Sequence, residues 1–220
     1  ILPIIDLIPF KKSIIHRHEL YYDNHFSRFI LKYIINRING IIAPTIERLY
    51  LIKGLYKYTG YGAVWPNRPS EKLYNYLNSD TNENILLSEL KKKLSGKKTI
   101  IYQGGVNSSR NLDLIINGIH LLGDEWQFVI MSQFESNDYF KQIIDDSRVI
   151  YVPYINPPFH LLVTKLCRIG ILSYSPYNLN NSFCAPNKIW EYSMFGLPMI
   201  GNNVPGLISA FNKYSMGHLI

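Results

Sequence analysis

Short apolar runs alternate with longer amphipathic stretches along this 220-residue chain. Residues 13–16 form a brief apolar run that ends in a polar loop. The stretch 25–39 has helical spacing, with Phe26, Phe29, Ile30, Tyr33, Ile34 and Ile38 recurring every three or four positions, and Gly40 stops it. Residues 40–44 read as a strand, Thr45 as the cap of a helix running to about Tyr58, and 62–65 as another short strand closed by Pro66 and Asn67. The segment 68–80 is polar and rich in turn formers and reads as a junction, and 83–94 looks helical. From there the rhythm is regular. Strands are expected at 98–103, 126–132, 148–152, 169–173 and 198–202, and helices at 111–122, 135–145, 157–166, 186–195 and 206–213.

Strands separated by helices of about three turns imply a parallel sheet covered on both faces. The expected class is α/β: a Rossmann-like sheet domain over 98–220, preceded by a linker and connecting helix over 68–97 and by a partial second α/β domain over 1–67. In open sheets of this kind ligands sit beyond the carboxyl ends of the strands, so the loops after Gln103, Ser132, Val152, Ser173 and Asn202 are the ones to inspect.

Composition narrows the field. Hydrophobic residues make up 47% and charged residues 18%, which excludes a disordered chain. The net charge of +7 suits a phosphorylated ligand, an anionic membrane face or nucleic acid. The basic residues are scattered, though, and the short clusters Lys91-Lys92-Lys93 and Lys97-Lys98 read as solvated helix ends, so no nucleic-acid partner is expected. The two cysteines, Cys167 and Cys184, lack metal-ligand spacing and suggest a reducing, cytoplasmic setting. No apolar run approaches the roughly 20 residues that cross a bilayer. Pro3, Asp6 and Pro9 argue against a signal peptide in the apolar first fifteen residues. Without an initiator methionine, and ending at Ile220, the sequence reads as a piece cut at both ends.

Two loops carry chemistry. In Gln103-Gly104-Gly105-Val106-Asn107-Ser108-Ser109-Arg110-Asn111 two glycines end a strand before a helix opens, so bare backbone, helix amino terminus and Arg110 can meet a phosphate. No Gly-Lys-Ser/Thr and no third glycine follow, which excludes a P-loop and the dinucleotide fingerprint of an oxidoreductase. In Ala185-Pro186-Asn187-Lys188-Ile189-Trp190-Glu191-Tyr192, proline suits the first helical turn, Lys188 adds charge there, and Glu191 one turn on can accept bonds from two ribose hydroxyls. Gly196 and Pro198 end that helix and start the next strand. Taken singly, each segment is equally well an ordinary turn or an ordinary capped helix.

Taken together, the order Gly104, Arg110, Pro186, Lys188, Glu191, Gly196, Pro198 resembles the donor domain of GT-B glycosyltransferases of the family-4 type. The resemblance covers about 99–217, and its most specific part is the Pro-x-Lys-x-x-Glu-Tyr…Gly-x-Pro run. It implies that Gly104 and Gly105 approach the donor diphosphate or sugar. It further implies that Arg110 and Lys188 offset the charge on the leaving group, that Pro186 and Asn187 aim helix donors at phosphate, that Glu191 holds the ribose, and that Tyr154 and Ile155 lie near the base. Two positions depart from the family pattern. Phe183 stands where many members carry a second glutamate near the donor sugar, leaving Asn181 and Ser182 to contact sugar or diphosphate, and Gly105 stands where many carry arginine. Upstream, Ile14-Ile15-His16-Arg17-His18-Glu19-Leu20 resembles the acceptor-domain segment in which a histidine faces the sugar, and His18 is the candidate; the earlier strands of that domain would lie upstream of Ile1.

What the resemblance implies is sugar transfer from a UDP- or GDP-linked donor, as substrate, to a glycan or lipid-linked acceptor in polysaccharide or glycolipid synthesis. Retention of configuration, no metal and no other cofactor go with it. The alternative is a non-catalytic nucleotide-sugar-binding or scaffold subunit, which Phe183 and Gly105 favour. A cytoplasmic enzyme of this kind can also touch the inner membrane face peripherally. Lys11, Lys12 and the 25–39 helix are the places for that contact, unless the helix spends its apolar face on the sheet.

Overall fold

The structure, a computed structural model, describes residues 12–20, 25–78 and 85–220. By their contacts these fall into two units. The first runs to Asn67 and takes in Pro176–Ala185 and Val204–Gly206; the second holds Arg68–Ser175, Pro186–Asn203 and Leu207–Ile220. The architecture is α/β with parallel sheets of Rossmann-like type.

In the first unit β1 (Ile14–His16), β2 (Gly40–Ala43) and β3 (Tyr61–Val64) pair in parallel in that order. Between β1 and β2 runs α1 (His25–Ile34), which tightens into a 3-10 turn at Ile35–Arg37. It buries Leu31, Ile34, Ile35 and Ile38 against Ile41, Leu49 and Ile52. Its outer face keeps Phe26, Phe29 and Tyr33 exposed at 71%, 64% and 45%. The apolar periodicity therefore belongs to two faces, one packed and one open. Thr45 caps α2 (Ile46–Tyr56), its hydroxyl accepting from the Arg48 amide at 3.3 Å. From the carboxyl half of the chain comes a four-residue helix, α8 (Leu179–Ser182); Leu179 and Phe183 pack against this core.

The second unit opens with α3 (Glu71–Asn78), where the sequence suggested only turns. Ser70 accepts from the Leu73 amide at 3.2 Å and Leu77 is buried, so one capped apolar face outweighs the polar composition. After α4 (Ile85–Leu94) come β4 (Lys98–Gln103), α5 (Leu112–His120), β5 (Trp126–Ser132), α6 (Asp138–Ile144), β6 (Val149–Pro153), α7 (His160–Lys165) and β7 (Ile169–Leu172). They are followed by α9 (Asn187–Met194), β8 (Met199–Gly201), α10 (Pro205–Tyr214, of this unit from Leu207) and β9 (Gly217–Leu219). Helices α5, α6, α7 and α9 start later than the periodicity suggests, and α10 starts one residue earlier. Asn137 caps α6 by accepting from the Phe140 amide at 2.8 Å, and Asn111 takes a left-handed turn before α5. β9 and α8 carry too few residues to show a period.

All six strands of this sheet are parallel, in the order β6-β5-β4-β7-β8-β9. Numbered from β4 the order is 3-2-1-4-5-6, that of the dinucleotide-binding fold, and the chain reverses direction across the sheet between β4 and β7. Ile100, Ile130, Phe128, Leu112, Ile116 and Phe140 centre the core on one face. On the sheet at β7, the fully buried Tyr192 ring lies over Gly170, where an added Cβ would stand 2.3 Å from it. Among the described residues no helix is long and apolar enough to cross a membrane.

Candidate functional site

The carboxyl ends of β4, β5 and β6 open into a cleft of about 210 Å³ within the second unit. Gln103, Gly104 and Gly105 form one wall, Met131, Ser132, Gln133 and Glu135 another, and Tyr154 and Ile155 follow β6. His160 opens α7 and Lys188 stands in the first turn of α9. Gly104 adopts φ +147°, a conformation that L side chains rarely take, and its amide donates to the Met131 carbonyl at 3.1 Å. The glycine loop is held from below by Glu135, which accepts from the Val106 amide at 3.1 Å and the Asn137 amide group at 2.8 Å. Tyr102 donates to the Gly105 carbonyl at 2.8 Å, and burial pushes its phenol up to about 12, so it stays a donor at neutral pH.

Behind the cleft lies a triad of ionisable side chains. Glu191 is 8% exposed, with one carboxylate oxygen 3.5 Å from His160 Nε2 and the other 3.6 Å from Lys188 Nζ. Burial acts to raise the Glu191 pKa, but His160 and Lys188 together outweigh it and hold the carboxyl below its ordinary 4.5. Three buried atoms here have no hydrogen-bond partner: Gln103 Oε1, His160 Nδ1 and Glu191 Oε2. Such groups are costly when unmade, and around a cleft they are the ones a polar ligand would satisfy.

The structure brings Gly104, Gly105, Tyr154 and Lys188 into this one cleft, with Glu191 behind it. Pro186 is the N-cap of α9 with extended backbone, and Asn187 is its first residue. Arg110 ends a 3-10 turn after the glycine loop and reaches across the point where the strand order reverses. Its Nη1 donates to the Ser173 carbonyl at 2.9 Å, Ser173 Oγ donates back to the Arg110 carbonyl, and the guanidinium stands 4.9 Å from the Tyr174 ring. His18, Asn181 and Ser182 belong to the first unit. His18 Nδ1 lies 3.1 Å from Asn67 Oδ1, and its ring centroid is 4.0 Å from that of His16. Burial, then the nearby His18, lowers the His16 pKa. The Asn181 amide donates to Asn178 Oδ1 at 2.9 Å and Ser182 Oγ to the Pro176 carbonyl at 3.2 Å.

Sequence reasoning missed His160, Glu135 and Gln103. Gln103 ends the strand flagged as ligand-facing and could have been found there. His160 and Glu135 carry no motif, because their roles come from helices that converge in space. Among the described residues no group of three or more His, Cys, Asp or Glu side chains could hold a metal ion.

No protein-family model matches the chain, and no curated protein matches it. Solved structures match its fold. Anabaena HepE in complex with UDP superimposes with a TM-score of 0.68 at 15% identity, over 95% of this chain and 58% of that one. The same protein in complex with UDP-glucose gives 0.66 at 15% identity, over 94% and 57%. An α,α-trehalose-phosphate synthase (UDP-forming) from Burkholderia vietnamiensis gives 0.65 at 9% identity, over 96% and 55%. At these identities the likeness is one of fold, and the chain spans little more than half the length of the structures it matches.

Proposed function

We propose that this chain is part of a GT-B glycosyltransferase of the family-4 type. It moves a sugar from a UDP- or GDP-linked donor to a glycan or lipid-linked acceptor hydroxyl, in polysaccharide or glycolipid synthesis. The observation that carries the reading is the cleft at the ends of β4, β5 and β6, where the positive-φ Gly104 and the α9 residue Lys188 face one space backed by the buried Glu191. Two of the solved neighbours, bound to UDP and to UDP-glucose, support it.

In this reading Tyr154 flanks the base, Glu191 the ribose, and Gly104, Gly105, Pro186 and Asn187 the diphosphate. Arg110 and Lys188 are the catalytic cations: as the bond to the anomeric carbon breaks, charge gathers on the departing diphosphate, and fixed positive groups lower that barrier without moving. Asn181 and Ser182 are sugar contacts, and His18, counted with the two cations as catalytic, faces the sugar and bonds one of its hydroxyls. Transfer proceeds with retention and with no metal or other cofactor, in the cytoplasm. The exposed face of α1, where Arg28 and Lys32 accompany the open aromatics, suits peripheral contact with an anionic lipid surface. Lys12 is exposed; Lys11 lies outside the described residues.

One observation favours a second reading, a binding or scaffold subunit without chemistry. At the position where many relatives carry a carboxylate, Phe183 packs against the core of the first unit. A thermal-shift panel of nucleoside diphosphates and nucleotide sugars on the full-length protein tests both, followed by donor hydrolysis and transfer. Stabilisation with turnover supports the transferase and stabilisation without turnover the subunit; no stabilisation by any compound removes both.

A further inference from the structure

Arg48 is 3% exposed, the deepest charged side chain among the described residues. Each of its three guanidinium nitrogens meets a backbone carbonyl. Nε donates to the Phe183 carbonyl at 2.6 Å, Nη2 to the Asn180 carbonyl at 3.1 Å and Nη1 to the His18 carbonyl. The Glu19 carboxylate, 3.5 Å from Nη1, is itself exposed and contributes little. Beside this fork the Leu20 amide donates to Asn180 Oδ1 at 3.0 Å. All of these groups lie within the first unit.

Burying a guanidinium is expensive unless its donors are satisfied, so its use here selects one geometry. The two loops it joins are poorly held by themselves. The His18–Leu20 segment follows a three-residue strand, and α8 has only four residues, far below the length at which a helix is stable alone. A planar fork with five donors can meet three carbonyls arriving from different directions; an ammonium on a flexible stem cannot.

We propose that Arg48 is a positioning residue that locks the His18 loop to the 178–183 loop, so that His18, Asn181 and Ser182 are presented to the sugar in a fixed relation. The replacement of the expected carboxylate by Phe183 fits this arrangement. Its side chain anchors the loop in the core while its carbonyl takes the Arg48 Nε bond. The role in transfer rests on the glycosyltransferase reading; the lock itself does not.

The test uses the full-length protein with Arg48→Lys, Arg48→Gln and, as a variant that leaves the buried charge in place, Asn180→Ala. Hydrogen exchange is followed in peptides covering 13–20 and 178–185, and transfer kinetics and nucleoside diphosphate affinity are measured alongside. Exchange in both peptides should rise about tenfold or more in Arg48→Gln, less in Arg48→Lys and Asn180→Ala, while peptides across 126–133 keep the wild-type rate. The kcat should fall about 30-fold with nucleoside diphosphate Kd unchanged within about twofold, because misplacing sugar contacts costs rate rather than nucleotide binding. Unchanged exchange in the two peptides overturns the proposal, as does a fall in nucleotide affinity parallel to the fall in kcat. If the Arg48 variants do not fold, Asn180→Ala decides by the same criteria. If the wild type shows no transfer, the glycosyltransferase reading fails, and exchange alone judges the lock.

Discussion

His160→Ala would leave the Glu191 carboxylate with Lys188 as its one remaining partner in the triad, in a site where only 8% of the glutamate is exposed. A bond to a charged group contributes about 1.5–3 kcal/mol. The His160–Glu191 separation is 3.5 Å, longer than the roughly 2.7–2.9 Å of strong charge-assisted pairs, so the coupling should fall below that range, at about 1 kcal/mol. Loss of the ring itself leaves a void and adds about 1–2 kcal/mol, a contribution that appears with or without Glu191. A double-mutant cycle of His160→Ala and Glu191→Gln, followed by urea unfolding at pH 7, removes that common part and reports the coupling. Acid titration gives an independent check. The Glu191 carboxyl is held below its ordinary 4.5 in the folded protein, so the unfolded chain takes the proton first. The pair's stabilisation is therefore complete above the unfolded value and is lost as the pH falls below it. His160→Ala should flatten that decline. Additivity within about 0.3 kcal/mol at pH 7, with an unaltered acid limb, would show that the two residues are mere neighbours.

Gly170→Ala places a methyl 2.3 Å from the Tyr192 ring on a fully buried face and should cost about 2–3 kcal/mol in chemical unfolding; a loss below about 0.5 kcal/mol would mean that the ring has room to move. Phe26→Ser combined with Phe29→Ser should weaken cosedimentation with vesicles containing anionic lipid by at least about tenfold, given the apolar area each ring would bury, and leave the unfolding curve in place because both rings are exposed. Equal sedimentation of variant and wild type would dismiss the helix face as the contact.

Much of the fold was legible because it repeats. β4, β5, β7 and β8 are apolar runs buried on both faces, and the helices between them show one apolar stripe each, so composition and spacing agree. The ligand-facing ends follow from the parallel order. What stayed hidden depends on tertiary partners. Glu71–Asn78 is a helix because Leu77 finds a core, although its residues look like a turn. The triad could be read only in part. Lys188 and Glu191 share a helix turn and stand out in a motif, while His160 arrives from α7 with nothing in its own neighbourhood to mark it. Arg48 was invisible for the same reason: a lone arginine in a helix gives no sign that three distant carbonyls converge on it.

The motif residues also changed meaning once their contacts were known. Read along the chain, Lys188 and Glu191 are separate tools, one for phosphate and one for ribose. In the structure they stand 3.6 Å apart, and Lys188 is at the same time part of the cleft wall. A ligand that brings a diphosphate to the start of α9 competes with Glu191 for that ammonium. The carboxylate so released stays buried and must find other donors, and ribose hydroxyls are donors of the right kind. On the glycosyltransferase reading proposed above, the two tasks are therefore coupled through one ion pair. A phosphate alone takes the cation and strands the carboxylate, a nucleoside alone leaves the cation engaged, and a nucleoside diphosphate satisfies both. Preference for the complete nucleotide would then arise from the coupling of its phosphate contact with Lys188 to its ribose contact with Glu191.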